Sequence, residues 1–184
     1  MADGHKTPTE LVDYIIKVGI DKATKPLFKL MLLGIFGGAF IALGGAGNII
    51  SSSTLVKTDP GLAKFVGASV FPVGLILVVT LGAELFTSNC LLPVAYINKK
   101  ISFVQVIRNL ATVYLFNYVG SFIVAYITVK GGSFNADSLE YLQNIAAHKV
   151  HASAYSLFIK GILCNVLVCG AVIQSYTSRD TIGK

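Results

Sequence analysis

Four groups of residues in this sequence have types and spacings that could do chemistry. The stretch Gly82-Ala83-Glu84-Leu85-Phe86-Thr87-Ser88-Asn89 sets a carboxylate, two hydroxyls and an amide between two apolar runs. His148-Lys149-Val150-His151 puts two imidazoles at i, i+3. They could share a helix face, but no acidic or cysteine partner is near, so no metal site is expected. Lys149 among them is either a solvated loop lysine or a cation that concentrates anions at a mouth. Lys160 sits inside an apolar run, where it either pairs with Glu84 or snorkels to the interface. Asn165 is an amide in a similar run, and a buried amide needs a partner: a neighbouring helix, a freed backbone group or a permeant ion. No Ser-His-Asp arrangement, phosphate loop or dinucleotide fingerprint accompanies them, so neither an enzyme nor a bound cofactor is expected.

The elements that must position these residues are apolar. Of 184 residues, 54% are hydrophobic and 13% charged, and mean hydropathy is +0.71. That is too little charge for a soluble surface and points to a helical membrane protein in a lipid bilayer. The net charge of +6 does not indicate nucleic acid, because the Lys and Arg residues flank apolar segments and form no stripe with interleaved aromatics. Residues 8–24 read as an amphipathic helix. Thr7-Pro8-Thr9-Glu10 forms a capping box, and Leu11, Tyr14, Ile15 and Val18 follow at helical spacing. This helix either lies in the membrane interface or packs on cytoplasmic loops. Cys90, Cys164 and Cys169 lie in apolar stretches without a CxxC spacing and read as buried small residues.

Four spans are expected, over about residues 26–50, 65–97, 103–129 and 152–177, in a single membrane domain. The first is rich in glycine, which lets helix backbones approach closely in lipid. The second is anomalous: 33 residues would make a helix about 50 Å long, too long for one span and too short for two. A break at 82–89 resolves this. Irregular backbone at that depth is tolerated where protein or a water-lined cavity satisfies it, and broken helices commonly build transport sites. The competing reading is a single span ending at Gly82. Lys6, Lys17, Lys22, Lys25, Lys29, Lys99, Lys100, Arg108, Arg179 and Lys184 fall on one side of this topology. Lys57, Lys64, Lys130 and Lys149 fall on the other. The positive-inside rule then puts the N-terminus in the cytoplasm of a multi-pass cell-membrane protein.

Gly82–Ser88 (GAELFTS) together with Gly161–Ala171 (GILCNVLVCGA) resembles the paired signatures of the formate/nitrite transporter family, with Gly170 in place of a branched residue. Asp21–Pro26 (DKATKP) and the HKVH run match in kind and order, and the similarity extends over essentially the whole chain. Within the family it looks most like the clostridial branch associated with hydrosulfide. The resemblance implies an all-α, aquaporin-like bundle of six spans in two inverted halves, with a broken second helix, assembled as a homopentamer with one pore per protomer. Only four of those spans are expected here, so the chain reads as truncated at Lys184, without the fifth span that carries the family's pore histidine. Such a portion would not conduct alone.

Carried over by position, Phe71 and Leu75 would line apolar constrictions, Leu85 and Phe86 would form an inner slit, and Thr87 would offer its hydroxyl beside the missing histidine. Lys22 and Lys149 would attract anions in the inner and outer vestibules, and Asn165 would line the pore. The implied function is passage of small weak-acid anions (formate, nitrite or hydrosulfide), with a proton added at the slit because dehydrating the charge there is costly. An aquaporin-like neutral-solute or water channel and a non-transporting membrane subunit are the alternatives.

Overall fold

The computed structural model describes residues 5–179; Lys184, counted above among the residues of the positive side, lies outside them. Nine α-helices occupy the described chain: α1 (Pro8–Thr24), α2 (Leu27–Ser52), α3 (Pro60–Val70), α4 (Pro72–Leu81), α5 (Phe86–Asn89), α6 (Leu92–Ile97), α7 (Phe103–Lys130), α8 (Ala136–Val150) and α9 (Ala154–Thr177). Four stretches are long and apolar enough to cross a membrane: Leu27–Ser52, Pro60–Leu81, Phe103–Lys130 and Ala154–Thr177.

Local chemistry sets the ends of these elements. Thr7 caps α1 by accepting from the Glu10 N–H, and the Glu10 carboxylate accepts from the Thr7 N–H at 2.8 Å. Pro26 ends α1, because a residue before proline is pushed to extended backbone, as Lys25 is at ψ 135°. The helix lays Ile15, Gly19 and Ala23 against protein, where Ala23 joins Leu92, Ala95, Ile101 and Val106 in one buried cluster. Asp59 caps α3 through the Leu62 N–H and Pro60 takes the first helical position. The second span therefore starts at Pro60 and not near Phe65. Pro72 offers no N–H and divides that span into α3 and α4.

The pair α2 and α7 forms the frame. Gly38 of α2 sits on the Asn117 backbone and Gly120 of α7 sits on the Ile35 backbone, so tightly that a Cβ at either glycine would collide with a carbonyl oxygen. This is the close approach that small residues permit between membrane helices. On the far side of the frame, Lys57 meets Asp137 and Glu140 of α8 at 2.8 Å each, and the buried hydroxyls of Ser53 and Ser138 are 2.9 Å apart. The sequence reading contained no α8. His148 and Lys149 end this separate helix, and the fourth span starts at Ala154 behind its Ser153 cap.

Candidate functional site

The break in the second span is shorter than the polar stretch that signalled it. Gly82, at φ 71°, takes the left-handed conformation that ends α4, and the Ala83 N–H bonds back to Val78 O at 3.0 Å. Only Gly82–Leu85 is irregular; Phe86–Asn89 winds into one turn, α5, so the non-helical stretch is not 82–89. The backbone groups freed here find partners on the frame. The Glu84 N–H donates to Leu33 O at 3.1 Å and the Phe86 N–H to Asn117 Oδ1 at 2.9 Å. Asn117 Nδ2 donates to Gly34 O at 2.7 Å and Glu84 O at 2.8 Å. One amide of α7 thus splints the break to α2, which meets the requirement that backbone polar groups inside a membrane be satisfied.

Glu84 anchors the break on the α1 side. Its carboxylate, 2% exposed, lies 2.9 Å from Lys22 Nζ and 3.1 Å from Lys25 Nζ. Lys22 also donates to Asn89 Oδ1 at 2.6 Å, and Asn89 Nδ2 donates to Glu84 Oε2 and to Asn109 Oδ1. Asn109 Nδ2 closes the ring on Lys22 O at 2.9 Å. Arg108 reaches Lys25 O, and Lys25 donates to Asp21 at 2.8 Å. The hydrogen bond from Lys25 holds the Asp21 carboxyl below its ordinary pKa. Burial of the Lys25 ammonium opposes its charge, but Asp21 and Glu84 outweigh that and raise its pKa.

The network borders a cleft of about 280 Å³ between α1, α4, the break and α9, with Tyr14, Lys22, Lys25, Glu84 and Tyr176 in its walls. Lys22, expected to attract anions in an inner vestibule, has its charge committed to Glu84. Lys160 is not the partner of Glu84; it is exposed on α9. Lys149 is exposed at the end of α8.

The apolar residues spread along the second span. Phe71 lies at the α3–α4 junction and is exposed. Leu75 packs against the buried cluster of Val78, Ala83 and Leu85, and Phe86 meets the Tyr114 ring edge-on at a centroid distance of 5.4 Å. The structure therefore brings Leu75 and Leu85 into one cluster and leaves Phe71 and Lys149 apart from it. Across from the break, α9 runs past α5. Cys169 Sγ donates to Thr87 O at 3.1 Å, and Asn165 lines a groove of about 610 Å³ together with Cys90 and Cys169. Cys164, expected to be buried, is exposed, because it lies off the face of α9 that meets the break.

Two buried polar atoms lack a hydrogen-bond partner among the described residues: Thr87 Oγ1 and Asn165 Oδ1. The amide nitrogen of Asn165 is used on Gly161 O at 2.9 Å. Sequence reasoning missed Lys25, Asn109 and Asn117 as members of the site. A signal existed, since Asn109 and Asn117 are amides eight residues apart within one apolar span and so share a helix face.

Comparison with known proteins agrees with this construction. The chain is 40% identical over 181 residues to the formate channel FocA of Haemophilus influenzae, covering 97% of this chain and 64% of that protein. It is 38% identical to the formate channel BtFdhC of Bacillus thuringiensis, covering 98% and 70%. Among solved structures, an FNT family ion channel superposes with a TM-score of 0.82 at 28% identity over 95% of this chain and 71% of that one. A pentameric formate channel with formate bound superposes at 0.75 and 30% identity, over 86% and 63%. The chain thus spans just under two thirds of the length of the Haemophilus protein and of the pentameric channel. The profile of one family, described as formate/nitrite transporter, matches residues 9–184, and with the splinted break and its paired signature on α9 this chain belongs to the formate/nitrite transporter family.

Proposed function

We propose that the whole protein is a channel for small monovalent weak-acid anions, formate first among them, which cross its apolar slit as the neutral acid. The observation that carries the reading is the pair of unpartnered buried atoms, Thr87 Oγ1 on the break and Asn165 Oδ1 on α9. A free hydroxyl and a free amide oxygen in an apolar setting are costly. A protonated carboxylic acid donates through its O–H and accepts through its C=O, so it offsets both costs in transit. The naked anion has no proton to give Asn165 Oδ1 and would have to shed its hydration between Leu85 and Phe86, with Phe71 and Leu75 as further apolar constrictions along the second span.

Attraction of the anion falls mainly to Lys149. Lys22 and Lys25 are balanced by Glu84 and Asp21, so the inner cleft has little net field of its own. Relatives named as formate channels support formate over nitrite and hydrosulfide, and a relative named as pentameric supports a homopentamer. The distribution of Lys and Arg supports a cytoplasmic N-terminus.

The test is radiolabelled formate uptake into proteoliposomes carrying the full-length protein. Uptake should rise as external pH falls, because the neutral fraction grows, and Lys149→Glu should lower the initial rate roughly tenfold. Uptake independent of pH would remove protonation from the mechanism, and an unchanged rate in the variant would remove the outer vestibule. Water permeability without formate uptake would turn the reading to a neutral-solute channel.

A further inference from the structure

Two of the three cysteines converge on the same turn of the break. Gly161, Asn165 and Cys169 recur every fourth residue and share one face of α9, and that face borders the groove with Cys90 and Leu91 just past α5. Cys169 Sγ donates to Thr87 O at 3.1 Å, and the same carbonyl oxygen accepts the Cys90 N–H at 3.3 Å. Cys90 Sγ lies 3.5 Å from the preceding carbonyl, Phe86 O. Both thiols are therefore ordered on successive carbonyls of one helical turn. The channel reading uses neither sulphur.

We propose that Cys90 and Cys169 form a redox-closable dithiol, which a two-electron oxidant of the peroxide class converts to a disulfide tying the break to α9. One sulphur, as thiolate, attacks a peroxide oxygen; the O–O bond breaks, leaving a sulfenic acid and one water. The second sulphur attacks the sulfenic sulphur and expels another water. Two S–H bonds are lost, one S–S bond is gained, and the peroxide is reduced to two waters. The covalent tie replaces the Cys169 to Thr87 hydrogen bond and fixes Thr87 against α9 until a dithiol reductant reopens it. The mobility of the break relative to α9 then depends on redox state, whatever solute passes.

The experiment treats the full-length protein in detergent micelles with hydrogen peroxide, blocks remaining thiols with a maleimide, and maps the digested peptides by mass spectrometry. The expected result is a linked peptide pair containing Cys90 and Cys169, two hydrogens lighter than the sum, with both residues lost together from maleimide labelling. The link should disappear with dithiothreitol, persist in Cys164→Ser, and be absent in Cys90→Ser and Cys169→Ser. Full alkylation of Cys90 and Cys169 after peroxide overturns the proposal. So does a link through Cys164, or one found only between two chains.

Discussion

Glu84 is a carboxylate at 2% exposure between two ammonium groups that are themselves 12% and 14% exposed, so its charge is worth most where it stands. In water such pairs contribute little, but removing one partner of a buried pair leaves the others desolvated and uncompensated. Glu84→Gln should therefore destabilise the chain by about 3 kcal/mol, read as a drop in the denaturation midpoint in detergent. Asp21 provides the contrast. It pairs with Lys25 at the same distance class, yet its side chain is 74% exposed. Asp21→Asn should cost no more than about 1 kcal/mol. Equal losses for the two variants would mean that burial does not govern the strength of these pairs. Glu84 pairs with Lys22 and Lys25 and not with Lys160 for a reason visible at this scale. Sequence shows which charges lie in apolar runs but not which helix faces which, and the α1 lysines reach the break only once α1 has packed on α6 and α7.

The helices that hold the break do so by backbone proximity. Gly38 and Gly120 each rest on a carbonyl of the opposite helix, and Gly37 rests on the carbonyl of Glu84 itself. Gly38→Ala should therefore force α2 and α7 apart and cost about 1–3 kcal/mol or more by overpacking. Gly45, on the same helix, has nothing within 4 Å of where a Cβ would stand. Gly45→Ala should be neutral or stabilising by about 0.5–1 kcal/mol, because alanine loses less entropy in a helix. Thermal melts followed by circular dichroism would separate the two, and a tolerated alanine at 38 would contradict the close packing. This level was partly legible: a glycine-rich span predicts close helix contact, and the polar interruption at 82–89 predicts a break. The break proved narrower because Phe86–Asn89 could still close one helical turn once Asn117 took the Phe86 N–H. The spacing of Asn109 and Asn117 marks a polar face of α7 but does not show that it meets the break. Helix α8 went unread because it is too polar overall to register as a span, and the signal it does carry is Leu139, Leu142 and Ile145 at helical spacing behind the Asn135 cap.

For the whole molecule, family kinship is with channels and transporters, and the two signatures that reveal it are the two walls of the same site, the break and α9. The two signature segments were legible because each is contiguous in sequence, whereas Lys25, Asn109 and Asn117 join the site only through contacts between distant segments. Sidedness is a property of the assembled chain. The Lys6 N–H donates to Thr177 O at 2.8 Å, which brings the start of the described chain to the end of α9, so both lie on one side of the four spans. Arg108 reaching Lys25 O joins the α6–α7 turn to that side, with Lys99 and Lys100. The positive residues thus gather where α1 packs, and the proposed cytoplasmic N-terminus rests on the positive-inside rule applied to that side. In a background with Cys90, Cys164 and Cys169 changed to serine, a membrane-impermeant maleimide should label Lys149→Cys in intact cells. It should label Lys17→Cys, on the exposed face of α1, only after permeabilisation. The opposite pattern would invert the proposed topology and with it the proposed outer vestibule at Lys149, and labelling of both in intact cells would break the four-span arrangement itself.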